Sequence, residues 1–236
     1  MRVFQKSGKK QSIVIFGAAE TAELAAFYFN SDSEFHVSAF VVDDEYFNEI
    51  QLNGIPIVPW SEALVKFPSS IYKMHIALSY KQLNKLREQK FHQALSAKYE
   101  LVSYISSKSV NYKDLVLGRN CFVLENQTIQ PSVILGDNVM IWSGNHIGHG
   151  STIGDHSYLA SHIVVSGHVK IGKRCFIGVN AAIRDFVSIS DDCFVAMSTS
   201  VTRNLEPGSV VLPPRSEFLN GSDERALQIV RKTFEL

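Results

Sequence analysis

Five of the chain's eight histidines fall in one stretch, SGNHIGHGSTIGDHSYLASHIVVSGH, from Ser143 to His168. An imidazole is the side chain best suited to accept a proton near neutral pH, and it is also a common metal ligand. The two roles make different demands. A zinc cage needs several ring nitrogens at about 2.0–2.1 Å from one ion. A general base needs one ring nitrogen within hydrogen-bond reach of the proton it takes. Spacing decides between them, and spacing here is governed by a repeat.

From Leu117, every sixth residue is Leu, Ile or Val without exception: Leu117, Val123, Ile129, Leu135, Ile141, Ile147, Ile153, Leu159, Val165, Ile171, Ile177, Ile183, Ile189, Val195 and Val201. Glycine often follows the aliphatic, as at 118, 136, 148, 154, 172 and 178. A small or β-branched residue often stands four positions after it, as at Val133, Ser151, Ala181, Val187 and Thr199. A period of six fits neither an α-helix nor a long strand. It fits a short strand and a turn, repeated so that each aliphatic enters one shared core, which is the signature of a parallel β-helix. Cys121, Cys175 and Cys193 all occupy the small position, so they read as packing residues rather than nucleophiles. An odd number of cysteines also argues against a disulfide framework.

The repeat sorts the histidines. His156, His162 and His168 stand three residues after their aliphatics in consecutive hexads, so they point about a third of a turn apart and cannot close on one metal within a subunit. Ligands stacked in neighbouring coils would be eighteen residues apart, and no two of these histidines are. His149, two residues after Ile147, stacks by that count beside Gly167.

Residues 1–108 have a different rhythm. SIVIFG (12–17), HVSAFVVDD (36–44), YKMHIALS (72–79) and YELVSYI (99–105) read as strands, with helices over 20–29 and 80–96. That alternation predicts a small parallel α/β sheet. GAAETA keeps only the first glycine of a dinucleotide fingerprint, so nicotinamide or flavin binding is not indicated. Ligands of open parallel sheets lie at the carboxyl ends of the strands, which here gathers Gly17, Ala19, Thr21, Asp43, Asp44 and Ser79 around one crevice. Asp43 and Asp44 could equally cap a strand in solvent. After Asn204 the repeat lapses at EPGS and LPPR, and a short helix is expected from Ser222. Three parts result: a Rossmann-like domain (1–108), a β-helix domain (109–205) and a tail (206–236).

The line IGHGSTIGDHSYLASHIVVSGHVKIGKRCFIGVNAAI, together with IVIFGA and VVDD in the same order, resembles the hexapeptide-repeat sugar acyltransferases related to bacillosamine N-acetyltransferase and sialic acid O-acetyltransferase. The resemblance implies a left-handed parallel β-helix with three hexads per coil, so about five coils, and a homotrimer with active sites between neighbouring helices. It implies acetyl-CoA, or another acyl-CoA, as co-substrate and a nucleotide-linked amino sugar as acceptor, with no metal. The histidine matching His149 is the family's general base, and the backbone N–H matching Gly167 its oxyanion donor. Acyl-CoA contacts fall near IGVN, at Gly178 and Asn180, and at Ala196. Asp43 and Asp44 fall at the nucleotide end, and His146 lines the groove.

The chain departs from that pattern in three places. Gly150 replaces the acidic or amide residue that follows and orients the histidine, so something else must hold His149. The first turn reads ETA (20–22) where the family has GHG, and LPPR (212–215) replaces the usual ending.

Formal net charge is zero and pI is near 7.1, which argues against nucleic acid as a partner. No apolar run has the roughly eighteen residues of a membrane span, and no signal-like start is read, so a cytoplasmic enzyme is expected. The first reading is N-acylation of an amino sugar in surface-glycan precursor synthesis. Sugar O-acetylation, a trimeric nucleotide-sugar-binding scaffold without catalysis, and a metal-dependent hydratase stay open as alternatives.

Overall fold

The computed structural model describes residues 10–235. The first nine residues of the expected 1–108 domain, and the last residue of the tail, lie outside the described residues.

The apolar run SIVIF becomes β1 (Gln11–Phe16), an inner strand with Ile13 to Phe16 buried. It is followed by α1 (Glu20–Asp32), β2 (Phe35–Val42), β3 (Gln51–Leu52), β4 (Ile55–Pro59), α2 (Trp60–Lys66), β5 (Lys73–Ile76) and α3 (Lys85–Ser96). The sheet order is β3-β4-β2-β1-β5, parallel except for the β3–β4 hairpin at one edge. That hairpin and α2 are additions to the sequence reading. Asn53 and Gly54, at φ of 49° and 78°, make the tight turn, but the strands beside it are short and carry Pro56 and Pro59. Helix α3 begins five residues later than the sequence suggests, because Gln82, Leu83 and Asn84 all adopt left-handed backbone, with φ of 55°, 50° and 65°.

The hexads form fifteen two-residue strands, from Val116–Leu117 to Ser200–Val201, all paired in parallel with the strand eighteen residues away. They stack into a three-sided prism. One face holds Phe122–Val123, Met140–Ile141, Tyr158–Leu159, Phe176–Ile177 and Phe194–Val195; the second face includes Thr128–Ile129 and His146–Ile147; the third includes Ile134–Leu135 and Thr152–Ile153. Every hexad aliphatic is buried except Leu117 in the open first coil, which is 37% exposed. The three cysteines are free and buried in the same core. Burial pushes the Cys121 and Cys175 thiols up to about 12, which suits packing and not nucleophilic chemistry.

The coil runs further than the hexad spelling. Tyr104–Ile105 pairs with Phe122–Val123 before the first hexad, and Val210–Val211 pairs with Phe194–Val195 after the last. The segment read as one strand over 99–105 is therefore divided: Leu101 bridges Met74 in the α/β unit, and Tyr104 already belongs to the β-helix. Helix α4 (Glu224–Phe234) starts where Asp223 accepts the Arg225 N–H at 2.8 Å, as the tail composition predicts.

The α/β unit lies on the first face of the prism. Phe29 and His75 pack on Phe122, and Tyr80 packs edge-on against Tyr158 and Phe176. This docked face leaves the opposite edge, between the second and third faces, on the far side of the molecule from the α/β unit.

Candidate active site

That far edge carries His149. The turn between His146–Ile147 and Thr152–Ile153 places the imidazole outside the coil, exposed to solvent. Gln130, on the same edge one coil earlier, holds it: the amide oxygen lies 2.9 Å from the His149 backbone nitrogen and 3.0 Å from Nδ1. A backbone N–H can only donate, so the Gln130 atom that meets it is the oxygen. The same oxygen can face Nδ1 only if Nδ1 carries the proton. His149 is therefore the Nδ1–H tautomer, with the lone pair on Nε2.

The ring lies over Gly167. A Cβ there would come within 2.7 Å of His149 Cε1 and 3.0 Å of Nε2, so only glycine leaves room for the imidazole. The Gly167 N–H donates no hydrogen bond among the described residues. His168 meets His149 edge-on with ring centroids 4.8 Å apart, and Phe186 stacks on His168 at 5.0 Å. Stacking at eighteen residues alone overlooks both Gln130 and His168, each nineteen residues from His149. At an edge the chain turns, so a side chain also reaches the diagonal neighbour in the next coil.

The remaining histidines of the stretch separate as their phases require. His162 lies on the edge between the first and second faces, against Gly144. His146 is half-buried, pointing out from the second face between Thr128 and Val164. His156 lies on the edge between the third and first faces, beneath α3, where Glu88, His92 and His156 offer atoms within 4.8 Å of one another. Their hydrogen bonds explain this cluster without a metal. Ile76 N–H donates to Asn120 Oδ1 at 2.7 Å, Asn120 Nδ2 to Asn138 Oδ1 at 2.8 Å, and Asn138 Nδ2 to His156 Nδ1 at 2.9 Å. His156 is thereby left with its proton on Nε2, facing Glu88 at 3.6 Å and offering no lone pair there. Arg174 shares Glu88 at 3.2 Å, adding positive charge where a cation would sit. The cluster is a seam between the two units.

The carboxyl ends of β1 and β2 open into a crevice of about 470 Å³. Gly17, Ala19 and Asp43 are on its wall. Gly17 has φ of 122°, and a Cβ would stand 2.8 Å from the Ala77 oxygen, so no larger residue fits the turn. Thr21 and Ser79 do not line the crevice, and Asp44 turns away to accept the Ser61 N–H at 3.0 Å in the first turn of α2. Asp43 is joined to Lys90 at 2.5 Å, and Lys90 also stands over the Phe16 ring. Lys81, in the left-handed turn before α3, brings a second ammonium to the wall. Neither lysine was legible in the sequence, since α3 contributes Lys90 from a strand-distant position.

Gly178, Asn180 and Ala196 lie on the edge between the first and second faces, not on the edge that bears His149 and Gly167. Gly178 is buried under Met197, whereas Asn180 is exposed. One chain thus carries the two sets of expected acyl-CoA and catalytic residues on different edges.

Residues 132–167 match the family model described as bacterial transferase hexapeptide (six repeats), and residues 168–203 the hexapeptide repeat of succinyl-transferase. The two matches together cover residues 132–203, all within the β-helix. No curated protein sequence matches the chain. Among solved structures, PerB from Caulobacter crescentus, in complex with CoA and GDP-perosamine, aligns with a TM-score of 0.74 and 24% identity, over 84% of this chain and 92% of that one. The acetyltransferase domain of PglB from Neisseria gonorrhoeae aligns at 0.72 and 16% identity, over 85% and 95%. WeeI from Acinetobacter baumannii aligns at 0.58 and 18%, over 85% and 96%. The alignments span both units, and the hexapeptide-repeat fold, an α/β unit followed by a left-handed β-helix, is shared throughout.

Proposed function

We propose that the chain is an acyl-CoA-dependent transferase that acylates the amino group of a nucleotide-linked sugar, with His149 as general base. The observation that carries this reading is the Gln130-held imidazole, whose Nε2 lone pair stands over Gly167. The amine nitrogen attacks the thioester carbonyl carbon and gives up a proton to Nε2. The Gly167 N–H stabilises the oxyanion, the C–S bond breaks, and the departing thiolate takes the proton from the imidazolium. The crevice of the α/β unit, with Gly17, Asp43, Lys81 and Lys90, suits the nucleotide diphosphate end of the acceptor. A hexapeptide-repeat relative that binds CoA and GDP-perosamine, and aligns over both units, supports the substrate classes. Acetyl-CoA is the simplest donor, and O-acylation of a sugar hydroxyl is the alternative that the same residues would serve.

The placement of these residues also favours a homotrimer. The crevice belongs to the unit that covers one face of the prism, and His149 stands on the opposite edge. A sugar held in one chain's crevice would then reach the imidazole of a neighbour, and the groove between two prisms could bring the His149 edge of one chain to the Gly178 edge of the next. Sedimentation equilibrium should give three times the chain mass; a monomer that turns over would remove this arrangement.

The deciding assay is release of free CoA thiol from acetyl-CoA across a panel of UDP-, dTDP- and GDP-linked amino sugars. Release with one acceptor, and loss of about 10²–10⁴-fold in turnover for His149→Ala, is the expected result. Full turnover in that variant would remove His149 from the mechanism.

A further inference from the structure

We propose that Gln130 is the positioning residue of this site, and that its neutral amide adapts the site to an amine acceptor over a hydroxyl. The proposal rests on the reading of His149 as the base. One oxygen of Gln130 accepts both the backbone N–H and the Nδ1–H of His149, at 2.9 and 3.0 Å. The first bond ties Gln130 to the edge of the coil, and the second sets the ring's tautomer and direction together. Gly150, immediately after His149, has no side chain to do this, and its own N–H donates to the Pro131 oxygen at 3.1 Å.

What Gln130 withholds matters as much. A carboxylate behind an imidazole stabilises the imidazolium by direct charge attraction as the proton arrives. An amide oxygen accepts the same hydrogen bond and orients the same ring, but adds no net charge. A base supported in that way suits an acceptor that asks little of it. A sugar amine attacks as the free base through its own lone pair, and its N–H becomes strongly acidic once the C–N bond has formed. A sugar hydroxyl must lose its proton as it attacks, when it is still a weak acid, and depends more heavily on the base.

Two substitutions separate this role from simple packing. Gln130→Met keeps the bulk and removes the acceptor; Gln130→Glu keeps the acceptor and adds a charge. We expect Gln130→Met to lower kcat about 10- to 100-fold with KM for both substrates little changed. Gln130→Glu should restore most of that turnover, move the acidic limb of the pH profile upward by about one unit, and raise hydroxyl relative to amine acylation. Melting temperature and oligomer mass of each variant establish that the edge is intact. Wild-type kcat in Gln130→Met, or an unmoved pH limb in Gln130→Glu, would overturn the positioning role, and an unchanged acceptor ratio would overturn the preference for an amine. His149→Ala, measured alongside, keeps the two ideas apart. Turnover lost in His149→Ala but kept in Gln130→Met defeats the Gln130 proposal alone, and turnover kept in both defeats the general-base reading with it.

Discussion

The place of the His149 ring on its edge depends on the missing side chain at Gly167. A methyl group there would stand 2.7 Å from His149 Cε1, too close for the ring to remain. Gly167→Ala should therefore swing the imidazole off its position and lower kcat by about 100-fold, the order expected for a 1 Å misplacement. The melting temperature should stay near that of the wild type, because the ring is on an exposed edge and not in the core. A calorimetric scan beside a steady-state assay checks both halves; unchanged kcat would mean that the ring tolerates the shift. His149, Gly167 and their eighteen-residue spacing were legible in the sequence. Gln130 was not, because nothing marks a glutamine nineteen residues away until the turn geometry at an edge is known. Asp44 shows the reverse: two adjacent acids at a strand end look equivalent as letters, yet one faces the crevice and the other caps α2.

Helix α3 is the element that joins the two units. Arg87 is fully buried, and its guanidinium donates to the Asn138 oxygen, to the His156 oxygen at 2.7 Å and to Asn84 Oδ1 at 3.0 Å. Burial pulls it down to about 10, so it is still charged at neutral pH, with main-chain oxygens as its solvation shell. Arg87→Met should leave those oxygens without donors and destabilise the fold by at least about 2 kcal/mol. Because this guanidinium ties α3 to the coil, the two units should also unfold less cooperatively without it. The chain has two tryptophans, Trp60 in the α/β unit and Trp142 in the β-helix, which makes this measurable. Single-tryptophan versions should follow one urea transition in the parent and two in the Arg87→Met chain. Coincident transitions in both would show that the aromatic packing of Tyr80 and Phe29 suffices.

For the whole molecule, buried histidines set the response to acid. His75 is enclosed between Phe29 and Phe122, with Nδ1 donating to the Val102 oxygen at 2.9 Å and Nε2 unpartnered. Burial lowers it to about 4, and burial, with the adjoining Arg87 charge, also takes His156 to about 4 against the attraction of Glu88. Both are depressed below the unfolded value of about 6.5, so the unfolded chain binds these protons first. Stability is whole above about pH 6.5 and falls as pH drops toward 4, with a slope of up to about 1.4 kcal/mol per pH unit for each histidine. The lowered carboxyls of Asp32, Asp137 and Asp192 lose their contribution only further down. Urea midpoints measured from pH 7 to 5 should therefore already decline, ahead of the loss at Asp32, Asp137 and Asp192, and His75→Phe should flatten part of the slope. A flat profile over that window would contradict the burial of both rings.

The sequence by itself determined the β-helix, because a period of six with an aliphatic at every step satisfies the core of each coil from local residues and their neighbours eighteen positions away. The inner strands of the sheet were determined in the same way, by apolar runs buried on both sides. Only the tertiary structure decided which face of the prism the α/β unit would cover, where the coil would continue after its spelling lapsed at Tyr104 and Val210, and which side chain would hold His149. Those outcomes depend on edges and seams, where residues far apart in the chain meet at angles that no short period encodes. Asn120, Asn138 and His156 are the clearest instance. Their eighteen-residue spacing is visible in the sequence, but their role as a hydrogen-bonded seam exists only once α3 is laid across them.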